Sequence, residues 1–353
     1  MKQQRVEWLD GVRGLASFAV VFYHLLVILD IQNSSRILLD YSYYPIVNLL
    51  WNGDAAVSMF FVLSGFVLTL GIQKNHTLHL KWFLKYWIGR FCRIALPFWG
   101  VLFLSLCWVV IFYDVGDVQA TNNSWFLGMW SYGAGSYDHL LQQASLIWPG
   151  IEHTLVPQGW TLTIELQISL LLPFIYFGIT RWLWVTIGVT LLAGVLLHQT
   201  FAFHFLLGLL IAIYRVPITN LVDHLSLAVR WLMFACGIVL LTLVWEPENK
   251  VSEIIFWCVT GMGSAIVIVV GDRLRAVRAF FTIKPLVFLG KISYSLYLTH
   301  LFAYLVFGSL ITNALPIIGV PMTLAFALVA AAIFYVVVEK TSMMLGYYLR
   351  SKL

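Results

Sequence analysis

The chain has 353 residues, of which 61% are hydrophobic and only 10% charged, with a net charge of +5 and a mean hydropathy of +0.89. Soluble globular domains carry about a quarter charged residues, so this composition excludes a soluble protein and predicts a polytopic membrane protein. In such a chain a positive excess reflects loop placement, which argues against nucleic acid as a partner.

In chain order, apolar segments fall at about 10–31, 46–72, 94–113, 161–179, 183–199, 201–214, 229–245, 254–271, 293–312 and 316–338. The fifth and sixth are short and closely joined. Lys2 and Arg5 ahead of the first run resemble a signal peptide. Asp10 and Arg13 break its start, however, and no small-residue cleavage site closes it, so it reads as a first span. Of the 21 Lys and Arg residues, all but Arg36 and Lys250 lie in the two termini, in alternate connections or at the span ends beside them. The opposite connections hold acids instead, among them Asp114, Asp117, Asp138, Glu152, Glu246, Glu248 and Glu253. That split predicts both termini in the cytoplasm and about ten spans between them. The expected fold is all-α: a single domain, residues 1–353, forming a multi-pass helix bundle in the lipid bilayer. Its one long outer segment, 114–160, is rich in tryptophan and lacks Lys and Arg. The segment includes an amphipathic stretch, DHLLQQASLIW, suited to the membrane interface. The cysteines Cys92, Cys107, Cys236 and Cys258 show neither CxxC spacing nor close pairing, which predicts no disulfide framework and no metal site.

The first span carries an unusual polar pair. Arg13 and His24 are eleven positions apart, about 20° past three helical turns, so they share a face and lie ~16 Å apart along the axis. A permanent cation at one end and a titratable base deep inside make a functional candidate, because ionisable groups are expensive in lipid. The plainer alternative is a topological anchor and a hydrogen-bonded core histidine. In the second span Ser64–Gly65 suits close helix packing. Ahead of the third, Arg90 and Arg93 lie one turn apart on one face, just before Pro97. They form a fork suited to phosphate or to anionic lipid. Glu165 sits about 7 Å below the outer end of the fourth span and His24 about 10 Å below that of the first. Glu165 reads as the one carboxylate well within a span, and a carboxylate that orients an imidazole is standard acid–base architecture. Spacing leaves open whether the two helices touch. Ser293, Tyr297 and His300 fall at i, i+4 and i+7 on the ninth span, a polar stripe that forms either a buried network or a cavity wall. His198 and His204 flank a short outer turn and read as interfacial.

Five stretches, LDGVRGLASFAVVFYH, MFFVLSGFVLT, GRFCRIALPF, GWTLTIELQ and GKISYSLYLTH, resemble in order the motifs of the acyltransferase 3 family of integral membrane O-acyltransferases. Each is weak alone, but their order and their spread over nearly the whole chain make the resemblance specific. It implies that Arg13 and His24 correspond to the family's essential pair, Arg90 and Arg93 to its RxxR motif, and Glu165 to its span-four carboxylate. Ser58 stands where many members carry Asp, and with Leu353 as its last residue the chain is expected to be a member without the SGNH domain that some relatives append. The resemblance implies an enzyme of the bacterial cytoplasmic (inner) membrane. Such an enzyme moves an acyl group, acetyl in the simplest case, from cytoplasmic acyl-CoA to a hydroxyl of an envelope saccharide, glycolipid or other extracytoplasmic acceptor. On that reading Arg13, Arg90 and Arg93 dock the CoA phosphates and His24 is the general base, oriented by Glu165. Ser293, Tyr297 and His300 line the acceptor site, and no metal is required. A transporter or flippase for an anionic or lipid-linked solute would use the same arginines without chemistry, but no halves related by a repeat are visible.

Overall fold

The computed structural model describes residues 7–28, 48–74, 79–112, 137–147, 155–196, 201–243, 247–308 and 316–353. Among these the chain is helical, with no strand. Each of the ten apolar segments contains a helix. These are α1 Glu7–Ile28, α2 Gly53–Ile72, α3 Leu80–Phe112, α5 Gly159–Arg181, α6 Leu183–Leu196, α7 Ala202–Ile213, α9 Leu227–Leu241, α10 Lys250–Gly271, α12 Lys284–Gly308 and α13 Pro316–Phe334. Shorter helices fill connections: α4 Tyr137–Ser145, α8 Arg215–His224 and α11 Arg275–Phe281. A π-helical turn, Tyr335–Glu339, carries α13 into α14, Lys340–Lys352.

Seven of these stretches are long and apolar enough to cross a membrane, or eight if α7 and α8, which meet at 78°, make one broken span. The hydropathy pattern predicts about ten. The difference lies in α6, α7 and α9, whose 14, 12 and 15 residues rise only about 18–22 Å against ~30 Å of hydrocarbon. Most of the outer segment 114–160 lies outside the described residues. Within it the amphipathic stretch forms α4, tied down where Trp99 Nε1 donates to the Ala144 carbonyl at 2.8 Å.

The chain packs as two units, Met1–Val20, Leu39–His76 and Ile168–Lys291 in one, and Val21–Leu38, Thr77–Gln167 and Ile292–Leu353 in the other. In the first, Trp8, Val12, Met59, Phe66, Ile211, Val267, Leu274 and Phe281 belong to one apolar core. Helix starts follow local chemistry. Asn52 caps α2 by accepting from the Ala55 amide, Ser226 caps α9, and Asn249 with Ser252 forms a capping box on α10. Helices α2 and α7 approach at two glycines, since a Cβ on Gly65 would meet the Phe205 carbonyl and one on Gly208 the Val62 carbonyl. Small residues at such crossings let backbones close on each other, as Ser64–Gly65 suggests. Gly65→Val should therefore destabilise the folded protein by about 3 kcal/mol through overpacking. Gly188→Ala, where an added Cβ meets nothing within 4 Å, should stabilise α6 slightly. Thermal unfolding of the two variants in detergent, read by circular dichroism, checks both signs.

His204, expected at the interface, is instead fully buried on α7. Its Nε2 lies 3.2 Å from Ser58 Oγ, which in turn donates to Thr260 Oγ1 at 3.0 Å. His198 lies outside the described residues.

In the second unit α3 packs against α14, with Cys92 beside Gly346, and against the end of α13, where Gly100 sits beside Phe334. Pro97 lies within α3 and has no N–H to give to the Arg93 carbonyl four residues earlier. One residue on, the Ile94 carbonyl accepts from Tyr294 Oη of α12 at 2.8 Å.

Candidate active site

Helix α12 organises the polar side chains of the second unit. Its Tyr304 hydroxyl donates to the Val21 carbonyl of α1 at 2.7 Å, one turn before His24. Its Tyr297 hydroxyl shares a 2.7 Å hydrogen bond with Thr161 of α5, one turn before Glu165. The helices that carry His24 and Glu165 are thus both fastened to α12, which spacing alone leaves open.

Between these two fastenings lies an imidazole pair. His300 Nε2 is 3.1 Å from His24 Nδ1, with ring centroids 5.0 Å apart. His300 Nδ1 lies 2.7 Å from the Tyr297 carbonyl. A carbonyl only accepts, so His300 Nδ1 carries the hydrogen. In neutral His300, Nε2 is then an acceptor, and the bond to His24 requires the hydrogen on His24 Nδ1. The basic lone pair of His24 therefore sits on Nε2. His300 is fully buried whereas His24 is half-buried, so one ring supports and the other is reachable. A partner on one ring nitrogen that sets the tautomer of the other is how histidines are prepared for proton transfer.

Glu165 makes a bond that the sequence did not predict. Its carboxylate accepts from Arg90 Nη2 at 2.9 Å, with side-chain exposures of 24% for Glu165 and 9% for Arg90. Arg93 extends from the same face of α3 and keeps 36% of its side chain exposed. It lies 4.0 Å from Glu339 and 2.9 Å, through Nη1, from Met343 Sδ. Glu339, on the π turn, is only 1% exposed and accepts from Ser295 Oγ at 2.5 Å. The two arginines of the fork thus each face a carboxylate.

Glu165 is therefore not alone: Glu339 is a second, more deeply buried carboxylate. The only signal for it is an acid closing the run FYVVVEK, where Lys340 makes it look like the end of a span. Of the stripe on α12, Ser293, Tyr297 and His300 are 2%, 9% and 0% exposed. Tyr297 and His300 spend polar atoms on Thr161, His24 and their own helix, so these two belong to a buried network. Arg13 is half-buried three turns before His24, on the part of α1 that belongs to the first unit. Among the described residues no group of three or more His, Cys, Asp or Glu is gathered as metal ligands.

Residues 6–338 match the model of an acyltransferase domain family, acyltransferase 3. The chain belongs to the acyltransferase 3 family. It is 25% identical over 338 residues to the peptidoglycan O-acetyltransferase OatA of Listeria monocytogenes, covering 83% of this chain and 48% of that protein. It is 24% identical over 336 residues to the O-acetyltransferase OatA of Staphylococcus aureus strain NCTC 8325, covering 83% of this chain and 49% of that one. The chain spans about half the length of the curated relatives it matches. No solved structure matches. Within the matched residues fall the imidazole pair and the Arg90–Glu165 pair, while Glu339 stands one residue beyond.

Proposed function

We propose that this acyltransferase 3 chain is a membrane O-acyltransferase of the bacterial cytoplasmic membrane. It takes an acyl group, acetyl in the first instance, from cytoplasmic acyl-CoA and delivers it to a hydroxyl of an extracytoplasmic envelope saccharide or glycolipid. Family membership supports acyl transfer, and similarity to two O-acetyltransferases, one of them acting on peptidoglycan, favours acetyl and a glycan hydroxyl.

The observation that carries the reading is the hydrogen-bonded imidazole pair, which leaves the His24 lone pair on Nε2. That nitrogen takes the proton of the acceptor hydroxyl as the oxygen attacks the thioester carbonyl. The tetrahedral adduct then collapses, the C–S bond breaks, and the leaving CoA thiolate takes the proton back from Nε2. Throughout, His24 Nδ1 keeps its hydrogen and donates it to His300 Nε2. Arg93, with its exposed edge, offers positive charge to the CoA phosphates. Arg90, buried against Glu165, contributes mainly by holding α3 to α5.

The test is CoA release from radiolabelled acetyl-CoA by the purified protein, His24→Ala and Arg93→Ala, with envelope extract supplying acceptor. Release that vanishes in His24→Ala and needs more donor in Arg93→Ala is the expected result. A wild type that neither binds nor consumes acetyl-CoA or longer acyl-CoAs overturns the reading in favour of a transporter.

A further inference from the structure

A carboxylate that is 1% exposed within a membrane helix needs partners, because an unpaired buried charge is strongly destabilising. Glu339 has two. Ser295 Oγ donates to Oε2 at 2.5 Å, and the Arg93 guanidinium stands 4.0 Å from Oε1. The backbone at this point is a π turn, Tyr335–Glu339, set between two α-helices. An inserted residue of this kind rotates the side chains after it relative to those before it, and π turns are frequent at functional sites. Ser295 fixes Oε2 from α12, so Oε1 is held toward α3 and toward Arg93. The guanidinium has Glu339 at 4.0 Å and Met343 Sδ at 2.9 Å, and 36% of the side chain remains exposed. An arginine alone on a helix surface is a flexible cation. One held by a fixed carboxylate presents its remaining N–H donors in a set direction.

We infer that Glu339 is a positioning residue that aims Arg93 at the phosphates of the acyl donor. The inference rests on the donor reading of Arg93 given above. Glu339 touches no substrate in this scheme and acts through the guanidinium. Its negative charge partly offsets that of Arg93, so the benefit is one of direction: the donors are aligned before the phosphate arrives, and less side-chain freedom is lost on binding.

Glu339→Gln keeps an oxygen for Ser295 and removes the charge that holds Arg93, and Ser295→Ala keeps the charge and removes its anchor. Both should raise KM for acetyl-CoA about tenfold, the scale seen when an outer partner of a binding group is lost, with kcat within about twofold of wild type. Binding of CoA alone, followed by calorimetry in detergent, should weaken in parallel. Glu339→Gln added to Arg93→Ala should change KM no further, because its effect passes through the missing guanidinium. A lower KM in Glu339→Gln overturns the inference and makes Glu339 a competitor of the phosphate. Equal losses of kcat and thermal stability in both variants, with KM unchanged, overturn it in favour of a purely structural pair. A donor KM untouched by Arg93→Ala overturns the underlying donor reading instead, which separates the two failures.

Discussion

His300→Phe is expected to lower kcat for acyl transfer by about 10²–10⁴-fold, the range a well-placed general base supplies, with acetyl-CoA binding unchanged. Phenylalanine fills most of the space of the buried imidazole, so little of the loss should come from a cavity. What disappears is the acceptor on Nε2 that holds the hydrogen on His24 Nδ1. Freed of it, His24 can rotate and can place its hydrogen on either nitrogen, so the lone pair is no longer kept on Nε2. His300→Gln puts an amide oxygen near the lost Nε2 and should recover much of the rate. Phe in place of His300 should make His24→Ala no worse, since the supporting ring acts only through the base. Full activity in His300→Phe would show that the imidazole pair has no part in the proton transfer.

Sequence reasoning has Glu165 orienting His24 and does not bring in His300, and the reason is instructive. Hydropathy and helical rise give a residue's depth, and periodicity gives its direction on its own helix. Neither says which helix lies opposite. His24 and Glu165 do sit on helices joined to the same third one, and the structure adds Arg90 at Glu165 and His300 at His24. The stripe on α12 was legible as a stripe; which neighbour each member meets depends on packing. Helix positions were legible because the apolar runs are bounded by polar residues, as α2 and α10 show. The full span count was not, because α6, α7 and α9 are apolar yet short, and hydropathy cannot tell a full crossing from a partial one. Glu339 escaped for a related reason. The last apolar run ends beside Lys340, so the acid reads as a solvated boundary, whereas the π turn carries it inward onto Ser295. His204 looked interfacial beside a short turn, and only the approach of α7 to α2 at Gly65 and Gly208 places it against Ser58.

The Arg90–Glu165 pair separates a structural use of Glu165 from a catalytic one. Removing either partner leaves a charge in a site where Arg90 is 9% and Glu165 24% exposed. Arg90→Met or Glu165→Leu should each cost about 3 kcal/mol, the lower end of the range for breaking a buried pair because Glu165 retains some solvent. Chemical unfolding in detergent micelles measures it. The double variant should regain most of that loss, since two apolar side chains of similar volume need no desolvated charge to be matched. Its activity then decides the role of the carboxylate. If Glu165 serves only to clamp α5 to α3, the double variant is stable and turns over acetyl-CoA at close to the wild-type rate. If Glu165 also stabilises positive charge that develops on His24, the double variant is equally stable and slow, and supplying more donor does not restore it. Stability restored without turnover would therefore return Glu165 to the reaction, acting on the imidazole through the field of its charge, while His300 keeps the tautomer.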